Sequence, residues 1–113
     1  MEIKVGDIFY NNYYNSGLAS FYQVVKVYIS GRVRIRRNEE KEIEWINGYE
    51  KKVMPDINNF CKKGGFIIKD NSKGTIKKVD FSCSSPSIDL GRYAGWLWDG
   101  EPIISSYYYV WMK

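Results

Sequence analysis

The chain has 113 residues, enough for one domain with a small core, so we expect a single domain over residues 1–113. Hydrophobic residues make up 44% of the sequence and aromatic residues 17%, a composition that excludes an intrinsically disordered chain. The net charge of +4 is mildly basic, so it permits an anionic partner without requiring one.

The first third of the sequence predicts β-strands, because apolar and polar residues alternate and Gly, Asn, Ser and Asp interrupt them. We expect a short strand from Asp7 to Tyr10, then a loop rich in Tyr and Asn. The next strand, SFYQVVKVYI, is expected from Ser20 to Ile29. Tyr22 would then point to solvent. The core face would carry Phe21, Val25, Val27 and Ile29.

Two turns are predicted after this strand. A three-residue loop, with Gly31 or its neighbour at positive φ, keeps Arg32 off the core face. This register pairs Ile29 with Val33 and Val27 with Ile35. A second turn, centred on Asn38, would bring Ile43 and Trp45 beside Val33 and Ile35. It would also set arginine against glutamate, in the pairs Arg36–Glu40, Arg34–Glu42 and Arg32–Glu44.

The second half of the chain predicts one helical turn and further strands. Spacings of three and four from Pro55 to Cys61 favour a helical turn. The other expected elements, in chain order, are strands at Phe66–Lys69 and Thr75–Ser82, a loop at Ser84–Leu90, and a final hairpin of Gly95–Trp98 with Ile103–Trp111 around Asp99-Gly100. These elements predict a mainly β protein, a small SH3-like or partly open antiparallel barrel with one short helical turn.

Signatures of catalysis and of metal binding are missing from the sequence. It contains no histidine, no nucleophile elbow and no phosphate-binding loop, so we expect neither an enzyme nor a cofactor. Cys61 and Cys83 lack the spacing of a zinc site. Buried free thiols are the favoured interpretation, with a single disulfide as the alternative.

No segment approaches the roughly 20 apolar residues of a membrane span. The first residues, MEIKVGD, also lack an apolar signal segment. We therefore expect a cytoplasmic protein with no membrane partner.

The segment RVRIRR, from Arg32 to Arg37, is a candidate nucleic-acid interface. Its arginines could follow a phosphate backbone while Tyr22 and Tyr28 stack on bases. The proposed ladder of arginines and glutamates counts against this, because paired charges leave little positive potential for phosphate.

Aromatic residues near the two ends of the chain are the stronger clue. They are Tyr10, Tyr13, Tyr14, Trp96, Trp98, Tyr107, Tyr108 and Tyr109. Terminal strands are commonly neighbours in small barrels, so these rings are expected to converge on one surface. A wall of Tyr and Trp with Asn amides suits a planar base or a protein side chain. The alternative is that many of these rings fill the core.

Several motifs resemble those of small hypothetical proteins of phages, prophages and mobile elements. The matching segments, in chain order, are Gly6-Asp7-Ile8-Phe9, Phe21-Tyr22-Gln23-Val24-Val25, Lys52-Val53, Trp98-Asp99-Gly100 with Pro102, and Ser106-Tyr107. The resemblance implies an accessory role in the host cell cytoplasm. Such proteins often counter host defence by sequestering a nucleotide signal or blocking a defence protein.

We therefore expect a non-enzymatic binding protein. Its partner would be an anionic nucleotide or a host defence protein, with nucleic acid as the alternative. Exposed strand edges leave a homo-oligomer open. The predicted binding residues are Tyr10, Tyr13, Tyr14, Asn15, Tyr22, Arg34, Arg36, Arg92, Trp96, Trp98 and Asp99.

Overall fold

The computed structural model describes residues 2–12 and 18–107. The strands of these residues are β1 (Ile8–Asn11), β2 (Ser20–Val27), β3 (Val33–Trp45), β4 (Glu50–Phe60), β5 (Thr75–Lys77), β6 (Ser87–Asp89), β7 (Ala94–Leu97) and β8 (Ile103–Ser106). No helix occurs among the described residues, and hence none that is long and apolar enough to cross a membrane.

The strands form one antiparallel sheet in the order β6-β7-β1-β2-β3-β4-β8, with β5 paired to β3. The sheet is strongly curled, so β8 comes back to the start of β2. There the amide of Ala19 donates a hydrogen bond to Ser105 Oγ at 3.0 Å. This architecture confirms the predicted mainly β, partly open antiparallel barrel.

Both faces of β1 and of the first half of β2 are buried. Phe9 and Tyr22 lie opposite each other and join the larger core, which includes Val24 and Ile35. On the other face, Ile8 and Phe21 form a smaller core with Val53, against which Tyr10, Ala19, Trp98 and Ile103 also pack. Burial of a large apolar side chain contributes about 1.5–3 kcal/mol, so these two strands anchor both cores.

Burial on both faces makes the predicted inward and outward faces of β2 wrong. Tyr22 is only 5% exposed, whereas Val27 and Ile29 are exposed. A β-bulge between Val24 and Lys26 shifts the register, so Val27 pairs with Val33 instead of Ile35. Ile29 lies in the turn, where Gly31 has the predicted positive φ of 88°.

The turn predicted at Asn38 is also wrong, because β3 continues through it to Trp45. Asn38 is buried, and its Nδ2 donates to Gln23 Oε1 at 2.9 Å and to the carbonyl of Asp56 at 3.2 Å. These amide contacts let a polar residue occupy the interior of a strand. Without the turn, Ile43 and Trp45 lie exposed on the distal part of β3.

The predicted ladder of arginines and glutamates does not form, because Arg34, Arg36 and the glutamates belong to one continuous strand, β3, and Arg32 precedes it. The ion pairs seen among the described residues join β3 to β4 instead. They are Lys41–Asp56 at 3.7 Å, Lys51–Glu40 at 3.3 Å and Lys52–Glu44 at 3.1 Å.

The segment predicted as a helical turn is the end of β4. Asn38 pairs with Phe60 and Glu40 with Pro55, so residues 56–59 bulge out opposite a single residue of β3. Within the bulge, Asn58 has a φ of 64°, and its amide donates to Gln23 Oε1 at 2.9 Å. The spacings of three and four that favoured a helix therefore belong to an enlarged bulge of β4.

The second half of the chain contains less strand than predicted. Residues 66–69 make only an isolated bridge, between Gly64 and Ile68, and the strand after residue 75 ends at Lys77. The expected loop at 84–90 instead contains β6. The final hairpin is wrong as well, since β7 lies between β6 and β1 whereas β8 pairs with β4. The turn at Asp99-Gly100 is present, with Gly100 at a φ of 95°.

Candidate functional site

Tyr10 and Trp96 are opposite residues in the pairing of β1 with β7. Opposite residues of an antiparallel pair share a face, with Cβ atoms about 4.5–5.5 Å apart. Their neighbours Phe9 and Leu97 point to the larger core on the other face. Tyr10 is half-buried against the smaller core, and Trp96 is 37% exposed. The two rings therefore form a wall that begins in the core and ends in solvent.

A hydrogen-bonded turn presents Arg92 beside this wall. The amide of Leu90 donates to the carbonyl of Tyr93 at 2.9 Å and so closes the turn between β6 and β7. Asp89 Oδ1 accepts the amide of Gly91 at 2.8 Å. Gly91 has a φ of 89°, a conformation that glycine adopts most easily. Arg92 is held exposed at the end of this turn.

These side chains line a cleft of about 430 Å³, which we call the Trp96 cleft. Its lining residues are Tyr10, Asn11, Asn12, Arg92, Tyr93, Ala94 and Trp96. Asn11 fixes one side, since its Nδ2 donates to the carbonyl of Ala94 at 2.8 Å. Asn12 is buried beside it. The volume lies within the range of small-molecule sites, roughly 300–1,000 Å³.

The lining of the Trp96 cleft combines three kinds of interaction. The indole of Trp96 and the phenol rings offer flat surfaces on which a planar ligand can stack. Amide side chains offer hydrogen-bond donors and acceptors. The guanidinium of Arg92 can bind a phosphate or carboxylate in a bidentate manner. The arrangement suits an aromatic ligand that carries an anionic group.

Three of the predicted binding residues, Tyr10, Arg92 and Trp96, therefore come together. Trp98 lies on the same face but over the smaller core, where it makes an edge-to-face contact with Phe21 at 6.3 Å between the ring centres. Its Nε1 donates to the carbonyl of Glu101 at 2.7 Å. Asp99 lies in the next turn, where its Oδ1 accepts the amide of Glu101 at 3.0 Å.

Tyr22 is not available at any surface. It lies in the larger core, and burial raises the pKa of its hydroxyl, although nearby Arg37 and Ser20 partly oppose this. Tyr13, Tyr14 and Asn15 lie outside the described residues.

Arg34 and Arg36 lie away from the Trp96 cleft, on the solvent face of β3. Arg34 Nε donates to Tyr28 Oη at 3.0 Å, and its Nη1 donates to the carbonyl of Lys73 at 3.1 Å. Arg36 Nε donates to the carbonyl of Asn71 at 2.7 Å, and its guanidinium lies 3.8 Å from the centre of the Phe60 ring. Both arginines thus bind neutral groups, which do not offset the positive charge of a guanidinium.

Asn11, Asn12 and Tyr93 belong to the cleft but were absent from the predicted set. Asn11 and Asn12 follow Tyr10 directly in the sequence, so the Asn-rich composition of this segment was a usable signal. Tyr93 follows Arg92 in the same way. What the sequence could not give was the pairing of β1 with β7, which brings the two segments together.

Both cysteines are free thiols. Cys61 and Cys83 are not bonded to each other, and Cys83 is exposed rather than buried as expected. Cys61 is half-buried, and its thiol donates to the carbonyl of Asn38 at 3.1 Å. Within residues 2–12 and 18–107, no three potential metal ligands come together.

No protein family model, curated protein or solved structure matches this chain. The functional interpretation therefore rests on the geometry of the cleft and on the sequence motifs.

Proposed function

We propose that this protein is a non-enzymatic binding protein that holds an anionic nucleotide in the Trp96 cleft. The base stacks on Trp96 and Tyr10, and its edge meets the Asn11 side of the cleft. Arg92 binds the phosphate.

One observation carries this proposal. The pairing of Tyr10 with Trp96 places two aromatic residues from distant parts of the sequence on one partly exposed wall, and Arg92 lines the same cleft. Rings that only filled a core would not need a cation at their solvent-facing end. A stacking surface beside a guanidinium is an arrangement that can recognise a base and its phosphate together.

The resemblance to phage and prophage proteins supplies a biological setting for this proposal. Such a protein acts by stoichiometric capture, either of a nucleotide signal or of a host defence protein. The Trp96 cleft favours capture of a nucleotide, because it is concave and contains a phosphate-binding group. Sequestration of a nucleotide used by host defence is the function that we propose.

A thermal-shift titration tests the proposal. The four ribonucleoside monophosphates should raise the melting temperature progressively with concentration, because a ligand that binds only the folded state stabilises it. The corresponding nucleosides should give smaller shifts, since they lack the phosphate that Arg92 binds. Trp96→Ala and Arg92→Gln should reduce the shift.

The matched control is Arg32→Gln, which removes an exposed arginine that does not line the cleft, in the turn before β3. It should leave the nucleotide shift unchanged. The proposal would be wrong if the melting temperature stayed constant with every nucleotide. It would also be wrong if Arg32→Gln reduced the nucleotide-induced shift as much as Trp96→Ala and Arg92→Gln do. Co-purification of a host protein alongside such a result would favour protein capture instead.

One observation also favours the alternative hypothesis that the arginines of β3 bind nucleic acid. The glutamates that were expected to neutralise Arg34 and Arg36 do not face them, and both guanidiniums bind neutral oxygens. Lys26 adds another cation on this face, 5.0 Å from the centre of the Tyr28 ring.

Single-stranded oligonucleotide binding at several salt concentrations tests this second candidate. Contacts with phosphate make affinity fall steeply with salt. The double variant Arg34→Gln with Arg36→Gln keeps hydrogen-bond donors but removes two charges, and it should flatten the salt dependence. Affinity that is insensitive to salt would exclude this interface.

A further inference from the structure

A second cleft lies on the other side of the turn that carries Arg92. Its volume is about 690 Å³, and we call it the Phe81 cleft. A short ladder builds it, in which the amide of Asp80 donates to the carbonyl of Ser87 at 2.8 Å and the reciprocal bond measures 3.0 Å. The ladder holds Phe81 in an exposed loop with 53% of its surface accessible. An aromatic side chain thus lies open in this cleft as well.

The two clefts are adjacent because they share a wall. Arg92, Tyr93 and Ala94 line both of them. Each cleft has one exposed ring of its own, Trp96 in the first and Phe81 in the second. Arg92 stands at the boundary, so a group bound there is within reach of ligand parts on either side.

The charges in the Phe81 cleft differ from those in the Trp96 cleft. Lys78 and Arg92 are balanced by Asp80 and Asp89, all of which line it. Both carboxylates are held in place, because Asp80 Oδ1 accepts the amide of Ser82 at 2.8 Å and Asp89 Oδ1 accepts that of Gly91. The hydrogen bonds from Ser82 lower the pKa of Asp80, so this carboxylate is ionised at neutral pH.

This distribution of charge favours different positions for the phosphate and for the base of a nucleotide. A phosphate is favoured at Arg92 on the side of the Trp96 cleft, because no carboxylate of the described residues lines that cleft whereas two line the Phe81 cleft. A base can enter the Phe81 cleft, where it stacks on Phe81 and its amino groups donate to the carboxylates.

From this juxtaposition we infer that the two clefts form one site for a dinucleotide. One base lies against Trp96, the other lies against Phe81, and the phosphate that links them binds Arg92. The inference rests on the proposed function and names the class of nucleotide that the site takes.

Isothermal titration calorimetry with matched ligands tests the inference. The probes are the four ribonucleoside monophosphates and their 3′,5′-linked and cyclic dinucleotides. At least one dinucleotide should bind at least about tenfold more tightly than its component mononucleotides, because the second base binds at a high effective concentration. Phe81→Ala should remove this gain and leave mononucleotide affinity unchanged. Trp96→Ala should weaken the binding of both classes.

Phe66→Ala is the matched control, since Phe66 is a fully exposed phenylalanine in a different loop. It should change neither the mononucleotide affinity nor the dinucleotide affinity. Circular dichroism should show that each variant is folded. Mononucleotide binding without any gain for a dinucleotide would overturn the inference and leave the proposed function standing. A gain that persists in Phe81→Ala would also overturn it. Absence of binding by every nucleotide would overturn both.

Discussion

Asn71 and Arg37 are joined by two hydrogen bonds that replace a strand partner. The amide of Arg37 donates to Asn71 Oδ1 at 2.7 Å, and Asn71 Nδ2 donates to the carbonyl of Arg37 at 3.0 Å. The same Nδ2 donates to the carbonyl of Cys61 at 2.6 Å. Asn71 is only 1% exposed, so it ties the loop after residue 61 to the middle of β3 in the interior of the protein.

Asn71→Ala should therefore destabilise the fold. It leaves the amide of Arg37 and the carbonyl of Cys61 without their partner, whereas the carbonyl of Arg37 still accepts the amide of Cys61 at 3.0 Å. A buried unsatisfied group costs roughly 1–3 kcal/mol. We expect the free energy of unfolding to fall by about 3 kcal/mol in urea titrations. Asn59→Ala, which removes an exposed amide that binds Asp56, is the control and should change it by less than about 0.5 kcal/mol. Similar losses in the two variants would contradict this role for Asn71.

The two tryptophans of the closing segment should differ in their effect on stability. Trp98 packs against the smaller core, so Trp98→Ala should lower the free energy of unfolding by about 2–4 kcal/mol. Trp96 is more exposed, and Trp96→Ala should lower it by about 1 kcal/mol or less. Urea unfolding of both variants measures the difference. A larger loss for Trp96→Ala would place that ring in a structural rather than a binding role.

Gly74 occupies a position that no other residue fits. Its φ is 78°, and an added Cβ would overlap the carbonyl oxygen of Ile35. Gly74→Ala should cost about 2 kcal/mol or more, since both backbone strain and the overlap oppose it. Gly48→Ala is the matched control, because a Cβ there meets nothing within 4 Å. Equal melting temperatures for the two variants would contradict the close approach of Gly74 to β3.

The buried hydroxyl of Tyr22 predicts a loss of stability at alkaline pH. Burial raises its pKa above the ordinary value of 10.0, so the folded state holds this proton more tightly than the unfolded state. The resulting stabilisation is complete below the unfolded pKa and is lost as the pH rises through the folded pKa. Urea unfolding at pH 8 and above pH 10 should therefore show a steeper decline for the wild type than for Tyr22→Phe.

Tyr49→Phe, at an exposed position, controls for general alkaline effects. It should follow the wild-type decline. Identical slopes for Tyr22→Phe and the wild type would mean that the hydroxyl of Tyr22 reaches solvent.

Sequence reasoning captured the fold class because alternating patterns and glycine turns are local signals. The turn at Gly31 and the turn at Asp99-Gly100 were predicted from two or three residues each. The errors have physical causes that are not local. Tyr22 was assigned to solvent because alternation was taken to mean one buried face, whereas β2 is buried on both.

Asn38 shows a second limit. An asparagine between charged residues is typical of a turn. Inside the strand, Asn38 Nδ2 finds its acceptors in Gln23 Oε1 and the carbonyl of Asp56, which lie far away in the sequence. The candidate site was predicted only in part, because the sequence does not show which strands are neighbours. The aromatic residues at the two ends of the sequence indicated Tyr10 and Trp96, but the residues that join them depend on strand order. The Phe81 cleft depends on strand order in the same way.

The double burial of β1 and β2 also governs how this protein comes apart. The two cores lie on opposite faces of the same two strands, so one core cannot unfold while the other stays intact. Loss of either core would expose one face of both strands to water and so destabilise the other core. Denaturation should thus be all-or-none, and a ligand held at the Trp96 wall would report on the integrity of the whole molecule.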